Sequence, residues 1–183
     1  MLREVSAWAA DHLGVQGLRI QQEGERFRLL VQQPAGALNL ADAGEGLREV
    51  APILTLALWR KMGKGPGPFL DVYEEPELHL HDAVHAPLGD LLLNTTLKRQ
   101  GTTLVETHSE ALLLRVQRRI AEGLIPDAEQ QVALYFVDDS EAPVALRRIH
   151  FNPAGEPDWW PEGVFAEAFE EVKAIRRAQR SGA

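Results

Sequence analysis

The sequence predicts an α/β protein with a mainly parallel sheet and flanking helices. Short apolar segments typical of buried strands occur over residues 69–73 and 103–106 and in the run VALYFVDD from Val132. Apolar residues at helical spacing separate them, for example Leu88, Leu91 and Leu92. The order strand, helix, strand, helix, strand favours parallel strands joined by crossover helices.

Length and composition predict one soluble domain. A chain of 183 residues, 45% of them hydrophobic, suffices for one core but not comfortably for two. We therefore expect a single domain over 1–183, with an N-terminal part (1–45), a central part (46–125) and a C-terminal part (126–183). No apolar stretch approaches the length of a membrane span, and there is no cysteine, so we expect a cytoplasmic protein with no membrane partner. The net charge of −8 argues against strong binding of nucleic acid by this chain alone.

The N-terminal half contains further predicted elements. We expect a helix over 1–13, then strands over 18–22 and 27–31 that are joined near Gly24. The glycine- and alanine-rich run PAGALNLADAGEG predicts a loop. The apolar spacing over 47–62 predicts a helix, with Pro52 in its first turn or at a kink.

Proline, glycine and capping residues predict the boundaries further along. Pro87 should open a helix that Gly101 stops. Thr107, with Glu110 three residues later, fits a capping box for a helix that runs to about residue 122. VALRRIHFN predicts a half-exposed strand near a sheet edge, and residues 163–180 predict an amphipathic helix.

Two adjacent carboxylates, Glu74 and Glu75, end one predicted strand, and His108 follows the next. Functional groups gather beyond the carboxyl ends of parallel strands, so we expect the three side chains to face one crevice. A divalent cation would make the paired charges tolerable. One carboxylate can then hold Mg²⁺ while the other polarises a water, and the histidine can donate to a phosphate oxygen.

Three segments resemble the second half of an ABC-type ATPase head. LDVYEEPELHLH is similar to the Walker B segment of SMC-, RecF- and OLD-like ATPases, and LVETHSE to their switch-histidine loop. LADAGEGLREVAP stands where the signature motif would be, and is closest to the DxGxGxSQxLP form of a branch of AAA-class ATPases. The tail IHFNPAGEPDWWPEGVFAEAFEE also resembles that branch. The resemblance implies a P-loop NTPase-like partial lobe.

The resemblance also implies residue roles. Glu74 would be the Mg²⁺-side carboxylate, Glu75 the general base for the attacking water, and His108 the γ-phosphate sensor. The signature-like residues Gly44, Glu45 and Gly46 would meet ATP bound on an opposing subunit. Relatives of this kind serve DNA repair or antiphage defence, where nucleic acid would be met through the complex.

The phosphate-binding loop is missing from the sequence. A P-loop needs G-x-x-x-x-G-K-[ST], but Gly63-Lys64 is followed by Gly65, and Leu58 stands where the first glycine should be. We expect a second polypeptide or a missing segment to supply the N-terminal lobe, and self-association or a partner to cover the exposed surface. The signature match departs at Arg48 and Glu49, where that branch has Ser and Gln, and Asp82 follows His81 where it has Pro.

Other functions compete with this interpretation. A truncated head could serve only as a non-catalytic interaction module. His79, His81 and His85 suit a zinc cluster, although no fourth ligand is obvious. Asp138 and Asp139 imitate a metal-dependent nuclease strand, although such a pair before a turn is usually turn chemistry.

Overall fold

The computed structural model describes residues 1–65, 67–99, 101–138 and 143–165. It is a mixed α/β fold with a small parallel sheet and flanking helices, which confirms the predicted fold class. The chain divides into two compact units, Met1–Val116 and Gln117–Ala183. The single-domain organisation stays a prediction.

The secondary structure follows the predicted order in most places. The first unit contains α1 (Leu2–His12), β1 (Gly17–Glu23), β2 (Arg26–Gln33), β3 (Gly36–Asn39), a 3₁₀ helix (Leu40–Asp42), α2 (Glu45–Lys61), β4 (Leu70–Glu74), α3 (Asp82–Arg99) and β5 (Thr102–Glu106). Helix α4 (Glu110–Ala121) begins in this unit and ends in the second, which also contains α5 (Ala128–Gln131), β6 (Leu134–Asp138) and β7 (Ala145–Ile149).

Strands β1, β2 and β3 form an antiparallel sheet, and the predicted hairpin at Gly24 is confirmed. The predicted loop PAGALNLADAGEG was wrong in part, because it contains β3 and the 3₁₀ helix. Leu38 pairs with Val31, a fully buried residue of β2. A run of four residues is too short for an alternating apolar pattern to be recognised. Strand β3 therefore forms because it pairs with β2, and its own sequence does not predict it.

Strands β4 and β5 are parallel and in register, and they present two different faces. Asp71 and Tyr73 are buried on the face towards the helices, where Val105 packs against the core. Residues of the other face alternate with these and are exposed: Leu70, Val72 and Glu74 on β4, and Thr102, Leu104 and Glu106 on β5. This parallel pair is therefore covered on one face only, whereas parallel sheets are normally covered on both.

Helices α2 and α3 form the main core beneath β4. Their buried side chains include Val50, Leu54, Ala57, Leu58, Leu88, Leu91 and Leu92, and they pack with Val5 and Ala9 of α1. Both helices begin earlier than predicted. Pro52 lies inside α2 and not in its first turn, and α3 begins at Asp82 so that Pro87 lies inside it. His81 starts α3, since its Nδ1 accepts from the Ala83 amide, 3.2 Å away.

The second unit corrects one strand prediction. VALYFVDD contains β6, but β6 pairs antiparallel with β7 and its side chains alternate in exposure, so it is not a fully buried strand. Trp159 packs on this pair: its Nε1 donates to the Arg148 carbonyl at 2.9 Å, and the Arg147 guanidinium lies over its ring. Most of the predicted terminal helix, from residue 166 onwards, lies outside the described residues.

Within the described part of the chain, no helix has both the length and the apolar character that crossing a membrane requires.

Candidate functional site

The parallel pairing of β4 and β5 brings the predicted site residues to one sheet edge. Glu74 and Glu106, the last residues of the two strands, are paired, and the Glu75 amide still donates to the Glu106 carbonyl at 2.9 Å. One step beyond, Glu75 Oε1 lies 3.2 Å from His108 Nε2. The prediction that Glu75 and His108 meet at one sheet edge is confirmed. The expectation that Glu74 faces the same crevice was wrong, because Glu74 does not line the cavity that Glu75 and His108 share. The chemical roles of all three stay predictions.

The backbone separates the two adjacent carboxylates. Glu75 has φ of 41°, in the left-handed region that a residue other than glycine enters at a cost of about 1–3 kcal/mol. The chain therefore turns sharply at Glu75, and this side chain lines a cavity with His108 while Glu74 stays on the exposed sheet face.

The cavity lies between the turn after β4 and the loop after β5. Its volume is about 250 Å³, and it is lined by Glu75, Glu77, Leu78, His79, Leu80, His85, His108 and Ser109. Small-molecule sites usually occupy about 300–1,000 Å³. At about 250 Å³ the cavity formed by the described residues is smaller than a complete small-molecule site.

Glu77 connects the two sides of the cavity, and the sequence did not single it out. It is 6% exposed, and its Oε1 accepts from the Thr107 hydroxyl and from the His108 amide, 3.0 Å away. The capping box predicted at Thr107 and Glu110 was wrong. Thr107 is engaged by Glu77, and it is Ser109 that caps α4, through Oγ to the Leu112 amide at 3.1 Å.

His85 makes a second connection across the cavity. Its Nδ1 lies 2.8 Å from Ser109 Oγ, and its Nε2 lies 3.3 Å from the Leu80 carbonyl oxygen. The α3 helix that contains His85 is thereby linked to both loops. In the sequence, only the spacing between EEPELHL and THS indicated that these two loops meet. Hydrogen-bond partners twenty or more residues apart leave no local pattern.

Buried polar groups support β4 just below the site. Asp71 accepts from Arg60 of α2 at 3.0 Å, and Tyr73 is buried beside them. The pKa of Tyr73 is raised to about 12, mainly by burial and also by the negative charge of Asp71, against a smaller opposing effect of Arg60. Tyr73 is therefore a neutral structural group here, because its phenol stays protonated over the physiological range.

The signature-like segment forms the start of α2. Gly44 precedes the helix, and open space surrounds the position of a Cβ there. A Cβ on Gly46 would instead collide with the carbonyl oxygen of His79. Gly46 therefore has a structural reason to be glycine, whereas the described residues give none for Gly44. Glu45 is exposed in the first turn of the helix.

The three histidines proposed as a zinc cluster are engaged separately. His81 starts α3 and His85 contacts Ser109, while His79 Nε2 lies 3.9 Å from both Glu45 Oε2 and Glu49 Oε2. Glu45, Glu49 and His79 form the one metal-compatible group of three among the described residues, and all three are exposed. Glu74 lies outside that group. Asp138 pairs with Arg147, and Asp139 lies outside the described residues.

Gly63-Lys64 is a helix end and not a phosphate-binding loop. The Gly63 amide donates to the Arg60 carbonyl at 2.8 Å, and the Lys64 amide to the Trp59 carbonyl at 3.2 Å. With Gly63 at φ of 77°, this is the Schellman arrangement that terminates helices. The amides that a P-loop would present to phosphate are used here to close α2.

Comparison with known proteins supports the fold. No protein-family model matches the sequence, and no curated protein matches it significantly. A chain from work on ATP-driven dimerization and DNA-stimulated activation of SMC ATPases superposes with a TM-score of 0.59 at 13% identity, over 94% of this chain and 90% of that chain. The SmcHead bound to the C-winged helix domain of ScpA gives a TM-score of 0.60 at 14% sequence identity, over 84% of this chain and 43% of that chain.

A third structure is an Smc head domain with an extended coiled coil, bound to the C-terminal domain of ScpA derived from Pyrococcus furiosus. It gives a TM-score of 0.58 at 11% identity, over 96% of this chain and 37% of that one. The chain spans less than half the length of these two ScpA-bound heads. The likeness shows an ABC/SMC-like head fold.

Proposed function

We propose that this chain is a lobe of an ABC-type ATPase that contributes the Walker B carboxylates and the switch histidine to ATP hydrolysis. The observation that supports this most is the 3.2 Å contact between Glu75 and His108 at the carboxyl end of a parallel strand pair. A buried structural role would not need either group to face an open cavity. Reacting groups at this edge are typical of open α/β sheets.

Each carboxylate fits one role. Glu75 faces the cavity, and its contact with an imidazole keeps an oxygen directed at the place where a water would be deprotonated. Glu74 is exposed at the strand end, which suits Mg²⁺, since this ion keeps several waters and takes one or two carboxylates beside phosphate oxygens. Bound Mg²⁺ would neutralise charge on the transferred phosphoryl group. His108 is 82% exposed, so its ring is accessible to a phosphate oxygen while it contacts Glu75.

A completing lobe is part of the proposal. The described residues contain no amide cradle for phosphates at Gly63-Lys64, and the cavity is smaller than a nucleotide site. Such a lobe, or another copy of this chain, would cover the exposed apolar face of β4 and β5. Gly44, Glu45 and Gly46 would then meet ATP on the opposing subunit. The motif resemblance supports a setting in DNA repair or antiphage defence, with nucleic acid met through the complex.

Phosphate release by the chain alone and with its completing lobe tests this function. Alone, we expect no turnover and at most weak ATP binding by calorimetry, because the phosphate cradle is absent. With a P-loop lobe encoded beside it, turnover should appear, and Glu75→Gln should lower kcat by about 100-fold or more. Glu25→Gln, in the exposed β1–β2 turn, is the matched control and should leave kcat unchanged.

A non-catalytic interaction module is the second candidate. The helix-end geometry of Gly63-Lys64 and the small cavity favour it, since both fit a head that has lost nucleotide chemistry. It predicts that Glu75→Gln leaves every activity of the complex intact. Tight ATP binding by the isolated chain would instead exclude both candidates in their present form.

A further inference from the structure

Glu77 is a buried carboxylate whose hydrogen bonds all reach the loop after β5. The side chain is 6% exposed, and burial of a carboxylate is costly unless it is compensated. Its Oε1 accepts from the hydroxyl of Thr107 and from the amide of His108, residues that lie some thirty positions later in the chain. Both donors belong to the loop that presents His108 to Glu75.

The bonds to Glu77 fix the loop backbone and do not involve the His108 side chain. Thr107 Oγ1 also accepts from the Ser109 amide at 3.0 Å, so the backbone is held on both sides of His108. The His108 side chain is nevertheless 82% exposed. An imidazole on a fixed backbone has few positions available, and one of them is the observed contact with Glu75. Glu77, two residues after Glu75, thus joins the two partners through the chain itself.

The second oxygen of Glu77 marks the side chain as unusual. Oε2 is buried and has no hydrogen-bond partner among the described residues. Buried polar atoms without partners cost stability and are few in native proteins. The two bonds that Oε1 accepts from the loop that carries His108 are therefore the hydrogen bonds that compensate the burial of this carboxylate.

We propose that Glu77 is a positioning residue that holds the His108 imidazole against Glu75 by accepting the His108 amide and Thr107 hydroxyl bonds. The proposal rests on the proposed ATPase function for its purpose, but not for its geometry. Glu77 itself does not face reacting atoms; it acts through the loop. Disrupting it should leave Glu75 and His108 present but uncoupled.

Nuclear magnetic resonance of the chain without nucleotide tests the geometry. Glu77→Ala should accelerate hydrogen exchange of the His108 amide by about tenfold or more, because a hydrogen bond to a charged group is lost. Glu77→Gln keeps an acceptor oxygen, so the His108 amide should still exchange slowly in this variant. If Glu77→Ala does not fold, Glu77→Asp withdraws the carboxylate by one methylene and serves instead. Unchanged exchange in the folded variant would overturn the proposal.

A second readout separates positioning from stability. Glu75→Gln should shift the His108 ring resonances in the wild-type background, and this shift should fall by more than half in the Glu77→Ala background. Leu92→Ala, which removes a buried core side chain of α3, is the destabilised control and should leave the shift intact. A full shift in Glu77→Ala, or an equal loss in Leu92→Ala, would refute positioning by Glu77.

The completed enzyme distinguishes this proposal from the proposed function. If the wild-type complex turns over ATP, Glu77→Ala should lower kcat by about tenfold or more with KM little changed, as expected for loss of an oriented catalytic group. If the wild-type complex shows no turnover, the ATPase proposal fails while the resonance experiment still decides the role of Glu77. Turnover that is unaffected by Glu77→Ala contradicts the positioning role alone.

Discussion

Asp71, the second residue of β4, accepts a hydrogen bond from Arg60 of α2 at 3.0 Å; the Asp71 side chain is 6% exposed and that of Arg60 14%. The pair connects the helix that starts at the signature-like glycines with the strand that ends at Glu74, just before Glu75. Arg60 also lies over the ring of Phe69, 4.3 Å from its centroid. The strand bearing the candidate site is therefore held from below by a charge pair and an aromatic contact.

Removing one partner of this pair should be strongly destabilising. We expect Arg60→Met to lower the free energy of unfolding by about 3–5 kcal/mol, because Asp71 would be left buried and unpaired. The double variant Arg60→Met/Asp71→Leu should recover most of that loss. Urea denaturation gives the values. The exposed pair Arg28–Glu23 is the control, and Arg28→Met should cost less than about 1 kcal/mol. Equal losses at the two sites would show that burial does not matter here.

Tyr73 should make stability fall at high pH. Its pKa is raised to about 12 in the folded chain, mainly by burial, from an ordinary value of 10.0. The unfolded chain therefore releases the phenolic proton first, and the stabilisation is complete below pH 10 and lost as pH rises towards 12. We expect Tyr73→Phe to show a smaller fall in urea midpoint over this window.

Absorbance titration checks the same assignment directly. The chain has two tyrosines, and Tyr135 is half exposed. In the Tyr135→Phe background, the tyrosinate band should therefore rise near pH 12 in the folded state. A rise near pH 10 in folded protein would contradict the burial effect on Tyr73.

The two signature-like glycines should respond differently to alanine. Gly46→Ala places a Cβ against the His79 carbonyl oxygen and should destabilise by about 1–3 kcal/mol through overpacking. Gly44→Ala meets open space and should cost less. In the completed complex, Gly44→Ala should nevertheless lower turnover if this segment meets ATP on an opposing subunit. Thermal unfolding and phosphate release measure the two effects, and full activity of Gly44→Ala would count against the signature role.

Sequence reasoning succeeded where the pattern was local and failed where the partner was distant. The strand ending at Glu74 and the loop bearing His108 followed from apolar runs and adjacent polar residues. The buried bonds of Glu77 could not be predicted, because an acidic residue after proline looks like a solvated turn. Thr107 was assigned to a helix cap on spacing alone, but its hydroxyl donates a hydrogen bond to the Glu77 carboxylate instead.

Misjudged boundaries have a similar cause. Pro87 suggested a helix start, and Pro52 a position in the first helical turn or at a kink, yet both lie inside helices whose apolar faces are buried against the core. Packing of residues such as Leu54 and Leu88, both fully buried, outweighs the cost of one missing backbone bond. Strand β6 looked like a member of the parallel sheet because hydrophobicity alone does not specify strand direction; its antiparallel partner β7 follows after only a short connection.

The exposed face of β4 and β5 should drive association. Leu70, Val72 and Leu104 are 64%, 63% and 58% exposed on one face of a parallel pair, an arrangement that proteins normally cover. Burying a Val or Leu side chain contributes about 1.5–3 kcal/mol, so two such side chains can change a dissociation constant by about 100-fold. We therefore expect the chain to self-associate or to occur with a second polypeptide.

Light scattering over a dilution series tests this surface. Val72→Thr/Leu104→Thr should weaken association by about 10- to 100-fold while costing the monomer little, because both side chains are already in water. Phe27→Ser removes an equally exposed aromatic side chain from β2 and should leave the association unchanged. A monomeric mass at high micromolar concentration, with cooperative unfolding, would mean that the chain is stable with this face in water. The free-standing interaction module would then become the better description of the protein.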